Sequence, residues 1–94
     1  MPEATVVRLP DQSRVEIHLG GACVGVAHYR RSGSIIDIEH VIVEPAFEGR
    51  GLAGQLVAAM FDDAREHGDR IIPTCSYAAA WARRHPDQID LLDS

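Results

Sequence analysis

Three features of this sequence combine residue types and spacings that could do chemistry: the loop Gly49-Arg50-Gly51-Leu52-Ala53-Gly54, the thiol of Cys75 and the imidazole of His40. A glycine-rich turn that feeds a helix presents backbone N–H groups with no acceptor inside the helix, backed by the positive end of the helix dipole. Both favour an anionic group such as a phosphate. Glycine at 49, 51 and 54 leaves room for a ligand to approach the main chain. A plain connecting loop is the alternative. The letters also satisfy GxGxxG, but a dinucleotide-binding domain needs its glycines directly after a strand and a carboxylate at the end of the next one. Here Glu44-Pro45-Ala46-Phe47-Glu48 intervenes, the next strand ends in Pro73-Thr74, and a single crossover is available. No Gly-Lys-Ser/Thr phosphate loop occurs either.

Cys75 falls between a strand end and a helix start, a place where a thiol can serve as a nucleophile or as a proton donor. A small buried hydrophobe is the competing reading. His40 brings to the central strand a side chain suited to proton exchange near neutrality. Strict alternation puts it on the face of Ile36, Ile38 and Ile42, so a hydrogen-bonded core histidine stands beside a general base. The remaining candidates read as structural. Cys23 is packing, Glu39 is solvated, and Tyr77 and Trp81, four apart, belong to the core. His18, His28 and His67 have no ligand partner at i+4, and neither cysteine sits in a Cys/His ligand pattern, so no metal is expected.

These groups need elements to position them. Arg14 to Leu19 alternates, with Val15, Ile17 and Leu19 on one side and Glu16 and His18 on the other, as a half-buried strand does. Gly20-Gly21 supplies a hairpin turn to a partner strand, Ala22 to Tyr29. After the turn Arg30 to Ser34, the β-branched run Ile35 to Val43 forms the central strand. Pro45 stops it, and Leu52, Leu56, Val57, Met60, Phe61 and Ala64 then recur at helical spacing, with Gly68 as the stop. Arg70 to Thr74 returns as a strand parallel to the central one by a right-handed crossover. A second helix over Tyr77 to Arg84 starts at a Ser76 cap and ends before Pro86. The expected fold class is α/β (α+β), a mixed sheet in the order β-β-β-α-β-α, as one domain over residues 1–94.

Composition agrees with one small folded domain. Of 94 residues, 46% are apolar and 24% charged, too apolar for a disordered chain. The net charge of −5 and the lack of any lysine argue against a partner nucleic acid or an anionic membrane. No leader and no run of about 18 apolar residues is present, which gives the expectation of a cytoplasmic protein with free thiols.

The segment Val43-x-Pro45-x-Phe47-Glu48-Gly49-Arg50-Gly51-Leu52-Ala53, after a long strand and before an amphipathic helix, resembles the acetyl-CoA signature of the Gcn5-related N-acetyltransferases, Arg/Gln-x-x-Gly-x-Gly/Ala. Gly51 and Ala53 match it, while Glu48 stands in the place of the Arg or Gln. A carboxylate there would repel a pyrophosphate, so Glu48 is expected to face away or to cap the helix. Most of the chain is also similar to very small acetyltransferase-like proteins of the YjdJ type, through His40, Glu48-Gly49-Arg50-Gly51, Cys75-Ser76-Tyr77-Ala78 and Arg84-His85-Pro86. Ser76 and Ala78 depart from that pattern.

The resemblance implies a minimal acyl-CoA N-acyltransferase fold and coenzyme A as acetyl carrier. Val43, Gly49, Arg50, Gly51, Leu52, Ala53 and Gly54 would bind acetyl-CoA, with Cys75 and His40 serving the chemistry. It also implies that the central strand and its parallel neighbour splay apart to admit the pantetheine arm. Arg83 and Arg84 become candidates for the 3′-phosphate. The acceptor would be a small-molecule amine or a basic peptide, favoured by the negative charge; the oligomeric state is open. The helices that usually separate the family's first two strands are missing, so a CoA-binding module without turnover is the rival, and a structural or partner-binding domain is the third reading.

Overall fold

Alternating apolar residues make the hairpin that starts the sheet. In the computed structural model, which describes residues 3–93, β2 (Arg14–Leu19) and β3 (Ala22–Ser32) pair antiparallel across Gly20-Gly21. Those glycines take φ of 56° and 83°, the left-handed values this tight turn demands. β4 (Ile35–Val43) continues the meander, and α1 (Leu52–His67) carries the chain over to β5 (Arg70–Ile72), which lies parallel to β4. α2 (Ser76–Arg83) and a 3-10 turn, Pro86–Leu91, complete the chain. This is the mixed α/β sheet the sequence predicts, with one strand added. β1 (Ala4–Leu9) pairs antiparallel with β2 from Ala4↔Leu19 to Leu9↔Arg14, making the order β1-β2-β3-β4-β5. Its burial follows no clean period of two, and that is why alternation does not reveal it. A 3-10 turn, Pro10–Gln12, joins β1 to β2.

The core lies between one face of the sheet and α1. Leu56, Val57, Met60, Phe61 and Ala64 pack on Val15, Ile17, Val24, Ala27, Ile36, Ile38 and Ile71. Gly68, at φ 74°, ends α1 where the sequence places the stop. Arg31 then clamps the turn into β5, donating from Nη1 and Nη2 to the Asp69 carboxylate at 3.3 and 3.0 Å. From α2, Trp81 lies against Phe61 with centroids 4.8 Å apart and stacks on His85 at 3.8 Å. The His85 Nδ1–H donates to the Trp81 carbonyl, so Arg84-His85-Pro86 closes α2.

Three local expectations are corrected. β5 stops at Ile72, since Pro73 has no N–H to offer a neighbouring strand. Cys75, in extended conformation, is the cap residue of α2; Ser76 is already helical and no side chain caps the helix. The third correction concerns His40. Tyr29 faces Ile38 while His28 faces His40, so Glu39 is an extra residue in β4. This bulge inverts the alternation. Ile36 and Ile38 are buried, but His40 is exposed and Ile42 is 58% exposed, whereas Val41 and Val43 pack against the core.

Candidate active site

β4 and β5 pair only along Ile35–Asp37 and Arg70–Ile72. A last bond, from the Cys75 N–H to the Ile38 carbonyl at 2.9 Å, closes this stretch. Beyond it β4 runs on through Val43 with, among the described residues, no strand beside its outer edge. The Glu44 N–H bonds back to the Val24 carbonyl on β3. Because backbone groups alternate along a strand, the N–H and C=O of Val43 and Val41 therefore point to the open side. The proline that shortens β5 and the bulge that re-aims β4 together make a fork.

At the mouth of the fork the chain leaves β4 through a 3-10 turn, Pro45–Phe47, and enters α1. Gly49 at φ 81° and Gly51 at φ 76° take conformations that side chains rarely adopt. A Cβ on either would meet nothing within 4 Å, so glycine is needed there for its backbone angle rather than for room. The first helical bond is Gln55 N–H to Gly51 C=O at 3.1 Å, and no side chain caps the helix. Among the described residues, no protein acceptor meets the N–H groups of Gly49, Arg50, Gly51, Leu52, Ala53 or Gly54.

A cleft of about 400 Å³ opens here. β4 supplies Val41 and Val43, the turn Phe47 and Glu48, the loop Gly49 and Gly51, the helix start Leu52 and Ala53, and α2 supplies Tyr77. Five of the residues expected to bind the acetyl carrier, Val43, Gly49, Gly51, Leu52 and Ala53, thus share one wall. Arg50 lies outside it, its guanidinium 5.3 Å from the centroid of the Phe47 ring, which keeps a cation at the rim. The missing side chain of Gly54 serves packing. A Cβ there would come within 3.3 Å of Tyr77 Oη and 3.9 Å of the Trp81 ring, so the missing side chain lets α2 close on α1. Glu48 does not cap α1, and it is among the residues that line the cleft.

Cys75 and His40 are not in the wall. Cys75 is half-buried against the core at the apex of the fork. His40 stands two residues past Ile38, on the opposite face of the sheet and across from His28. Arg83 and Arg84 are exposed at the far end of α2, about 9 Å along the helix from Tyr77. Tyr77 is the residue that sequence reasoning passes over. The spacing of four groups it with Trp81, and Trp81 is buried, yet Tyr77 is only partly covered and reaches the cleft. Its place in the first turn of a helix starting at the fork was the available signal.

Comparison with known proteins agrees with the fold. Residues 14–91 match the GCN5-related N-acetyl-transferase family. The fold is similar to that of a GCN5-like protein from Staphylococcus aureus, at TM-score 0.74 and 22% identity, covering 96% of this chain and 88% of that one. N-acetylglutamate synthase from Neisseria gonorrhoeae, solved with coenzyme A and N-acetyl-glutamate, gives TM-score 0.61 and 18% identity over 86% of this chain and 22% of its own. The IAA acetyltransferase of Bacillus cereus gives 0.58 and 17%, over 76% of this chain and 51% of its own. The two longer proteins therefore carry much that this chain does not contain.

Proposed function

The chain belongs to the GCN5-related N-acetyltransferase family, whose cosubstrate is acetyl-CoA, and from that premise we propose that it moves the acetyl group to a cationic amine. The pyrophosphate would rest on the unpartnered N–H groups of Gly49 to Gly54, with Arg50 at the rim adding charge. The pantetheine arm would follow the open edge of β4, hydrogen-bonding Val41 and Val43 as an adjacent strand would. This brings the thioester toward the fork and the Tyr77 hydroxyl. The ammonium first gives its extra proton to solvent; the neutral amine nitrogen then bonds to the thioester carbonyl carbon, the C–S bond breaks, and the departing thiolate takes a proton. Tyr77, which lines the cleft, can give that proton; the nitrogen, once acylated, loses a second one to solvent or to a base. Cys75, at the apex, is the second candidate donor, or a nucleophile that carries the acetyl group before the amine does. His40 as the base requires a relay from the far face of the sheet.

The run of free donors on a helix start, beside a strand edge with no neighbour, carries this reading, because buried or clefted N–H groups without acceptors are what an anion completes. Titration of isotope-labelled protein with coenzyme A should shift the amides of Gly49 to Gly54 together with Val41 and Val43. Unmoved amides in that loop would overturn the reading. Turnover is tested by thiol release from acetyl-CoA with small polyamines and with lysine-rich peptides, both favoured by the net charge of −5. Intact mass after exposure to acetyl-CoA decides the role of Cys75: an added acetyl that disappears in Cys75→Ala makes it the nucleophile. One observation favours the non-catalytic module instead. β1, β2 and β3 contribute nothing to the cleft wall, which leaves the acceptor side open. Amide shifts without thiol release from any amine would support that second reading.

A further inference from the structure

We propose that Glu16, His18 and Cys23, on the outer face of the β2–β3 hairpin, form a binding site for a divalent metal ion of zinc type, apart from the acetyl-CoA cleft. Each residue offers one ligand atom, and these atoms all lie within 4.8 Å of one another. The spacing, Glu-x-His followed by Cys five residues on, spans a turn rather than one helix face, so no ligand pattern shows along the chain. The fold brings them together by a register slip. Ile17 pairs with Gly25, so regular pairing would set Val24 opposite His18; instead His18 pairs with Cys23. The bulge sends Val24 into the core at 1% exposure and brings Cys23 onto the face that His18 shares with Glu16 two residues earlier.

The donor atoms lie close together, and two of them are already joined. His18 Nε2–H donates to Glu16 Oε1 at 2.8 Å, and a metal ion would take the place of that proton between the same two atoms. Arg14 Nη2 holds the other carboxylate oxygen at 2.8 Å, the outer support that orients a ligating carboxylate. The Cys23 thiol donates to the Gly25 carbonyl at 3.4 Å and would lose its proton on binding. A thiolate and a carboxylate cancel the charge of a divalent ion, and thiolate with imidazole selects zinc or cobalt over magnesium or calcium. Three protein ligands leave one tetrahedral position for water.

Cobalt(II) titration of the freshly reduced protein is the test, read by absorption. Wild type should develop thiolate-to-cobalt charge transfer in the near ultraviolet and the visible bands of tetrahedral cobalt, saturating at one ion per chain and bleached by added zinc. Cys23→Ser should lose the charge-transfer band while keeping its far-ultraviolet circular dichroism. His18→Ala should weaken cobalt binding at least tenfold, and Cys75→Ser should leave the spectrum as it is. Absence of the band in wild type at millimolar cobalt would overturn the site, as would a band that survives Cys23→Ser or vanishes in Cys75→Ser. None of these outcomes depends on coenzyme A.

Discussion

Two cavities flank α1, and they differ in how their polar groups are satisfied. The one near its C-terminal end, about 270 Å³, has an apolar floor that includes Val15, Ile36 and Met60 beneath a rim of Arg8, Arg31, Asp63 and Asp69. Its rim charges are already matched. Arg8 Nε donates to Asp63 Oδ2 at 2.7 Å, and Arg31 grips Asp69. Among the described residues the cleft at the N-terminal end has no such pair: Glu48 and Tyr77 line it beside main-chain donors without acceptors and an open strand edge. The paired cavity is a seam that ties β1 and β3 to α1, while the other leaves main-chain donors unmatched. Polar satisfaction, rather than volume or apolar lining, separates the two.

The strongest way to break this contrast is to remove what both cavities share. Phe61 is fully buried in the core beneath α1, so Phe61→Ala should destabilise the whole domain by about 3–5 kcal/mol, with both ends losing hydrogen-exchange protection together; denaturant unfolding measures it. Gly51→Pro should act on one end. It forces φ from 76° to a negative value and removes a donor, and the loss of charge-assisted hydrogen bonds of about 1.5–3 kcal/mol should weaken coenzyme A binding by about 100-fold in calorimetry. Arg31→Met should do the reverse, lowering stability by about 1 kcal/mol, since the guanidinium is half exposed and screened, with coenzyme A affinity unchanged.

The smallest effect is electrostatic. Hydrogen bonding to Arg65 holds the Asp90 carboxyl below its usual range and ties the Pro86–Leu91 turn to α1. A depressed folded value means that this contribution is fully present above the ordinary carboxylate range, near pH 4, and is lost as the pH falls through the lowered value. The melting-temperature difference between wild type and Asp90→Asn should therefore be constant at neutral pH and shrink only in acid, while the cleft at the start of α1 shows no matching change.

The sequence on its own determined the parts that depend on neighbours along the chain. Alternation from Arg14 to Leu19, the helical stripe from Leu52 to Ala64 and the stops at Pro45 and Gly68 read directly, because side-chain period and backbone restriction are local. So did the glycine loop, since a positive φ before a helix start leaves a composition signal. Tertiary structure decided the rest. The bulge at Glu39 turned His40 outward, and a one-residue slip inverts every later side chain in a strand without changing its composition. A similar slip joined Cys23 to His18, two residues that no period links. The docking of α2 set Tyr77 and Trp81 against Gly54, and it gave Tyr77 a place in the cleft wall as well as against the core. Register and helix docking are settled by contacts between distant segments, and those leave no periodic trace in the segments themselves.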